Sequence, residues 1–131
     1  MISTENMTTL NGIWQFCIDH DESKADGIIS GDYANWRQVD VPCDVAHACP
    51  ERPDYIGPCW FRKEFSLPPE MRGKRILLHF EAVNYTATVF LNGKFVGRNM
   101  HGFLPFEFDI TDCVLQDGKN TLLAMTDHRR D

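Results

Sequence analysis

The sequence is poor in positive charge: 13 Lys and Arg stand against 19 Asp and Glu, a formal net charge of −6. Binding nucleic-acid phosphates needs a basic face, so no nucleic-acid partner is expected. Long apolar runs are missing as well. None approaches the roughly 18 residues of a membrane helix, so no membrane partner is expected either. The opening Met1-Ile2-Ser3-Thr4-Glu5-Asn6 has neither the basic nor the apolar region of a signal peptide. The chain reads as soluble, cytoplasmic or periplasmic. Cysteine is limited to Cys17, Cys43, Cys49, Cys59 and Cys113, with no C-x-x-C. That is too scattered for a disulfide scaffold, and the odd count leaves one free in a monomer. They read as small buried apolar residues. His47 lies between Cys43 and Cys49 at no familiar zinc spacing, so no metal is expected. There is no H-x-x-x-H pair, no G-x-S-x-G and no Gly-rich phosphate loop. Cofactors are therefore expected to be none, while a Cys–His dyad assembled in space stays open. Finally, 131 residues suffice for one domain or a piece of one, and fall short of a barrel enzyme of ~250 residues.

What is present is strand signal. Ile13 to Ile18 is a short apolar and aromatic run. Residues 20–35 are polar, contain glycine and show no period, which predicts a surface loop. Val39 and Val41 flank Asp40 before Pro42, a short strand stopped by proline. Residues 42–58 hold four prolines and a glycine, a long irregular connection of the kind that is functional or packs across a face. Trp60 to Ser66 is an aromatic-rich strand, and Arg75 to Glu81 another, with Ile76, Leu78 and Phe80 on one face. Tyr85, Ala87, Val89 and Leu91 alternate with Thr86, Thr88 and Phe90. Asn92-Gly93 then gives the strongest short hairpin signal, because a type I′ turn needs positive φ at both central residues. Lys94 to Arg98 returns antiparallel. Phe106, Phe108 and Ile110 alternate with Glu107 and Asp109. Thr111-Asp112 suits the cap of one helical turn. Asp117-Gly118 makes another turn, and Thr121 to Asp127 is the last strand. About eight short strands at this spacing predict an all-β sandwich or barrel, read as two packed sheets. Trp14, Trp60, Phe80, Val89, Phe106 and Phe108 are the expected core.

Two constellations could carry chemistry. Glu107 and Asp109 share a strand face at roughly 6.5–7 Å between Cα atoms, a spacing compatible with a glycosidase carboxylate pair. Opposite three apolar residues, however, they fall on the solvated face, and no neighbour in sequence drives their pKa values apart. The other is a set of aromatics beside loops. Tyr55, Trp60 and Phe103 offer flat apolar faces on which sugar rings stack, and Asp44, Asp54, Asn99 and His101 could bond hydroxyls. The plainer alternative is that these aromatics fold the long loops down onto the sandwich.

Seven motifs in order resemble the N-terminal sugar-binding domain of glycoside hydrolase family 2, which includes β-galactosidases, β-glucuronidases and β-mannosidases. Leu10-Asn11-Gly12-Ile13-Trp14-Gln15-Phe16 resembles L-[DN]-G-x-W-x-F. Trp36 to Pro42 is similar to W-x-x-V-x-[VL]-P. Tyr55-Ile56-Gly57 with Trp60 to Phe65 resembles Y-x-G-x-x-W-Y-R-[RK]-x-F. Gly73 to Val83 is close to G-K-R-V-x-L-x-F-[ED]-G-V. Val89 to Gly97 matches V-[WF]-[LV]-N-G-x-x-V-G, Leu104 to Thr111 matches [TL]-P-F-E-x-D-[IV]-T, and Asp117 to Leu122 matches x-G-x-N-x-L.

The resemblance spans residues 10–127 and implies a jelly-roll β-sandwich, galactose-binding-domain-like. On this reading residues 1–9 are an N-terminal tail and residues 10–131 the sandwich. It also implies partners: carbohydrate, and the catalytic barrel domain of a parent β-glycosidase, against which the domain packs while helping to shape the sugar site. The family's catalytic glutamates lie on that barrel, so no catalytic residue is expected in this chain. Candidate sugar-binding residues are Asp54, Tyr55, Trp60, Asn99, His101 and Phe103. Where relatives show Gly-Gly-Tyr, this chain has His101-Gly102-Phe103, which removes the tyrosine hydroxyl. A final strand of the type G-I-x-R-x-V does not follow Asp127. The expectation is a C-terminally truncated sandwich with an open sheet edge, able to form a homo-oligomer. Two alternatives stand beside a module of a larger glycosidase: a free-standing carbohydrate-binding module, and a scaffold that binds no sugar.

Overall fold

The period-two segments become strands. A computed structural model describes residues 8–41, 48, 55, 57–81, 86–100 and 104–127. In chain order these form β1 (Gly12–Ile18), α1 (Ala25–Ser30), β2 (Arg37–Val41), β3 (Pro58–Phe65), a 3₁₀ turn (Pro69–Met71), β4 (Leu77–Phe80), β5 (Thr86–Leu91), β6 (Lys94–Asn99), β7 (Phe106–Asp109) and β8 (Asn120–Asp127). A six-stranded sheet runs β2-β1-β3-β8-β5-β6, and β4 pairs with β7 in a second, smaller sheet. Every described pairing is antiparallel. The fold is the all-β sandwich read from the sequence.

Alternation decides what lies between the sheets. In β5 the odd positions Ala87, Val89 and Leu91 are buried and the even ones half-buried. Trp14 and Phe16 of β1, Cys59 of β3, Val89 and Leu91 of β5 and Leu122 of β8 meet Leu78 of β4 with Ile76 and Ile110 in one core. Full burial of such a side chain contributes about 1.5–3 kcal/mol. The two sheets come close together where Phe108 of β7 lies on Gly97 of β6. A Cβ at Gly97 would fall 2.8 Å from Phe108 Cδ1 and 3.0 Å from Cζ, so only glycine leaves room for the ring.

Three expectations need correction. Residues 20–35 are not all loop, because α1 forms within them. Its Ile28 packs with Cys17, Trp60 and Leu123 on the outer face of the large sheet. Tertiary burial, rather than local pattern, thus supports this six-residue helix. The turn after β7 is capped by Asp109 instead of Thr111. Asp109 Oδ1 accepts from Thr111 N at 3.0 Å and from Thr111 Oγ1 at 2.6 Å. Thr111 Oγ1 in turn accepts from Ile76 N at 2.9 Å, tying the turn to the start of β4. Third, Phe80, Phe106 and Phe108 are half-buried while Trp14, Trp60 and Val89 are buried. The smaller sheet has two strands among the described residues, and its aromatics pack on one another, Phe80 and Phe106 stacking at 4.9 Å.

The β5–β6 hairpin turns at Asn92-Gly93 with φ 53° and 80°, as the dipeptide predicts. Asn92 does more than tolerate this geometry. Its Oδ1 accepts from Thr121 N at 2.9 Å, and its Nδ2 donates to Cys113 O at 3.1 Å and Asn120 Oδ1 at 2.9 Å. Asn120, fully buried, also accepts from Leu115 N at 2.7 Å and donates to Leu115 O at 3.1 Å. Two asparagines therefore pin the hairpin, the 111–119 turns and β8 together.

Candidate functional site

Strand register brings four strand ends together at one end of the sandwich. Pro58 and Thr86 both pair with Asp127, and Asn99 pairs with Ala87. The start of β3, the start of β5, the end of β6 and the end of β8 therefore lie side by side. β4 ends at Phe80 before β5 begins at Thr86, and β6 ends at Asn99 before β7 begins at Phe106. Phe80 and Phe106, the paired last and first residues of β4 and β7, close the smaller sheet there. The turns at 66–76, 92–93 and 111–119 occupy the opposite end.

Tyr55, Trp60 and Asn99 are described; Asp54, His101 and Phe103, with Asp44, lie outside the described residues. Tyr55 is buried, and its hydroxyl donates to Pro58 O at 2.8 Å. Gly57, at φ 145°, passes beneath it, where a Cβ would fall 2.8 Å from the phenolic oxygen. The Y-x-G spacing thus builds a corner into β3: a backbone conformation that suits glycine, closed over by a ring with its polar tip satisfied. The His20 ring meets Tyr55 edge-on at 6.1 Å.

Trp60 is buried within β3 under α1, its ring 5.9 Å from that of Phe90. Its Nε1 donates to Asp19 Oδ2 at 3.1 Å. Asp19 is itself buried; its Oδ1 accepts from Lys24 N at 3.0 Å and its own N–H donates to Pro58 O at 3.0 Å. Lys24 Nζ donates to Ile18 O at 2.7 Å. One residue therefore fixes the indole and the approach to α1 through its carboxylate, and the start of β3 through its backbone N–H. In the sequence Asp19 looks like one of several loop acids, and only its burial distinguishes it. Asn99 is half-buried at the end of β6 and presents a carboxamide, which both donates and accepts. Of the three described candidates, Tyr55 and Asn99 stand at the loop end and Trp60 packs beneath α1.

Glu107 and Asp109 lie exposed on the outer face of the smaller sheet, each engaged with a base. Arg75 Nε approaches Asp109 Oδ2 at 3.1 Å, and His79 lies 3.2 Å from Glu107 and 3.4 Å from Glu81. Hydrogen bonds from Thr111, then the Arg75 guanidinium, hold the Asp109 carboxyl down at about 2. An acid catalyst needs the opposite shift. Burial pushes the Cys17 thiol up to about 11, which removes it as a nucleophile. Cys17, Cys59 and Cys113 are free thiols. Among the described residues no three His, Cys, Asp or Glu side chains are placed to hold a metal, and no helix is long and apolar enough to cross a membrane.

Residues 7–129 match the family model described as glycosyl hydrolases family 2, sugar binding domain. A β-glucuronidase of Formosa agariphila is 30% identical over 95% of this chain, and a β-galactosidase of Thermoanaerobacter pseudethanolicus is 34% identical over 88%. The chain spans 14% of the length of each of these curated relatives. Among solved structures, a β-glucuronidase from Ruminococcus gnavus in complex with uronic deoxynojirimycin superposes with a TM-score of 0.80 at 27% identity, covering 96% of this chain and 22% of that one.

Proposed function

Because this chain belongs to the sugar binding domain family of the family 2 glycosyl hydrolases, we propose that it serves as the non-catalytic sugar-site module of a larger β-glycosidase. The parent reaction is hydrolysis of a β-glucuronide or β-galactoside, carried out by catalytic groups on a barrel domain against which this sandwich packs. Support comes from relatives of both activities, of which the chain spans a small share. The observation that carries the site is the register of β3, β5, β6 and β8. It brings Asn99, at the end of β6, to the end of the sandwich where Tyr55 caps the start of β3; in sequence Asp54 precedes that strand and His101 and Phe103 follow Asn99. In this reading Asn99, His101 and Phe103 reach toward the sugar and Asp54 bonds a hydroxyl. Tyr55 and Trp60 act from beneath, Tyr55 by fixing the strand that carries its loop and Trp60 by anchoring β3 to Asp19.

Kinetics of the full-length protein test this. Asn99→Ala and Phe103→Ala should each lower kcat/KM on an aryl β-glucuronide or aryl β-galactoside by roughly threefold to tenfold, the value of one lost contact. Lys119→Ala at the far end should leave it unchanged. If all three variants match the parent, the scaffold alternative takes over; burial of Tyr55 and Trp60, with their polar atoms bonded internally, already favours it for those two residues. Association of copies through a sheet edge has β2 and β6 available as the outer strands of the larger sheet. A concentration-independent monomer in light scattering would remove that part of the proposal.

A further inference from the structure

The chain carries two Asn-Gly dipeptides, Asn11-Gly12 and Asn92-Gly93. Asn-Gly is the sequence most prone to spontaneous deamidation, since glycine leaves its own amide nitrogen unhindered. The Gly nitrogen attacks the Asn Cγ and forms an N–Cγ bond. The Cγ–Nδ2 bond breaks, and ammonia leaves with the proton that the Gly nitrogen gave up. Water then opens the cyclic imide at either carbonyl, giving aspartate or isoaspartate. The reaction needs a carboxamide free to turn onto the following nitrogen.

The two sites differ in that freedom. Asn11 is exposed, and only its backbone N–H is engaged, donating to Thr9 Oγ1 at 3.1 Å; its carboxamide has no partner among the described residues. At Asn92 both ends of the carboxamide are held. Oδ1 accepts from Thr121 N, Nδ2 donates to Cys113 O and Asn120 Oδ1, and the residue's own N–H donates to Thr121 O at 2.9 Å. Turning Cγ toward Gly93 would break all three side-chain bonds, which tie the hairpin to the 111–119 turns and to the start of β8.

We infer that Asn11 is the site at which the native protein deamidates, and that Asn92 is a latent site exposed only by unfolding. The second event is the damaging one. Cys113 O and Asn120 Oδ1 are acceptors, so a carboxylate at position 92 would face two acceptors with no proton to give. A chain modified there after unfolding loses the clamp between hairpin and β8. Modification at Asn11 adds one negative charge at the entry to β1 and leaves the core untouched.

Peptide mapping by mass spectrometry on the full-length protein tests this at mildly alkaline pH. Folded samples should convert Asn11 but convert Asn92 slower by a factor of roughly ten or more, whereas in denaturant the two should convert at similar rates. Across intermediate denaturant the Asn92 rate should follow the unfolded fraction and the Asn11 rate should not. A second arm uses Asn92→Asp, which should unfold at lower denaturant than Asn11→Asp. Equal conversion of the two sites in folded protein, or an Asn92→Asp variant as stable as Asn11→Asp, would overturn the inference.

Discussion

Gly97→Ala adds one methyl group to β6 opposite Val89, beside the register shift that skips Val96, at a glycine whose φ is not positive. The change is therefore steric. The new Cβ meets the flat of the Phe108 ring, 2.8 Å from Cδ1 and 3.0 Å from Cζ. That ring cannot retreat freely, since Phe80 and Phe106 stand around it at 6.5 and 5.5 Å. Overpacking of this kind costs about 1–3 kcal/mol. For a domain of 131 residues that lowers Tm by roughly 4–11 °C, from the usual unfolding entropy per residue. A double-mutant cycle isolates the contact. In a Phe108→Ala background the clash is gone, and Gly97→Ala should become neutral or stabilising by about 0.5–1 kcal/mol, because alanine suits a strand interior better than glycine. Calorimetry or denaturant titration of the four proteins reads both quantities. A Gly97→Ala cost that persists undiminished without the Phe108 ring would refute the close approach of the two sheets at this point.

Other expectations follow from the polar groups. Asn120→Ala leaves Leu115 N–H and C=O without their partner, at about 1–3 kcal/mol for each group that stays buried, and should be read as a fall in the unfolding midpoint. Asp109 contributes to acid stability with a defined sign. Its folded pKa is depressed to about 2 from the ordinary 3.8, so its contribution is complete above the higher value and is lost as pH falls toward the lower. Asp109→Asn should flatten the pH dependence of stability in that window; an unchanged acid limb would show that the Thr111 and Arg75 contacts do not form in solution. Cys17, buried with its thiol pushed up to about 11, should resist alkylation in the native protein and react once α1 is unfolded.

Legibility in the sequence followed the range of the interactions. Asn92-Gly93 was readable because positive φ is a local requirement, and β5 because one face of six residues must be apolar. α1 was not, since Asp26-Gly27 carries no helical pattern and Ile28 finds its partners on β1, β3 and β8. Phe80, Phe106 and Phe108 showed the right period, but the depth of a residue depends on how far the opposite sheet extends over it. The same limit applies to the candidate site. That Trp60 and Tyr55 are aromatics beside loops is plain from the sequence. That Asp19 satisfies the indole of one depends on β1–β3 register, whereas the hydroxyl of the other is met three residues on, at Pro58 O, by a corner whose burial the sequence does not display.

Hydrogen–deuterium exchange of the full-length protein, with and without D-glucuronic acid or galactose, tests the placement of the sugar site most directly. Added sugar should protect peptides covering residues 51–57 and 99–104, at the end where β3 begins and β6 finishes. Peptides covering 66–76 and 111–119 should exchange as before. Protection confined to those far-end turns, or none anywhere in the sandwich, would contradict the assignment of that end to sugar recognition.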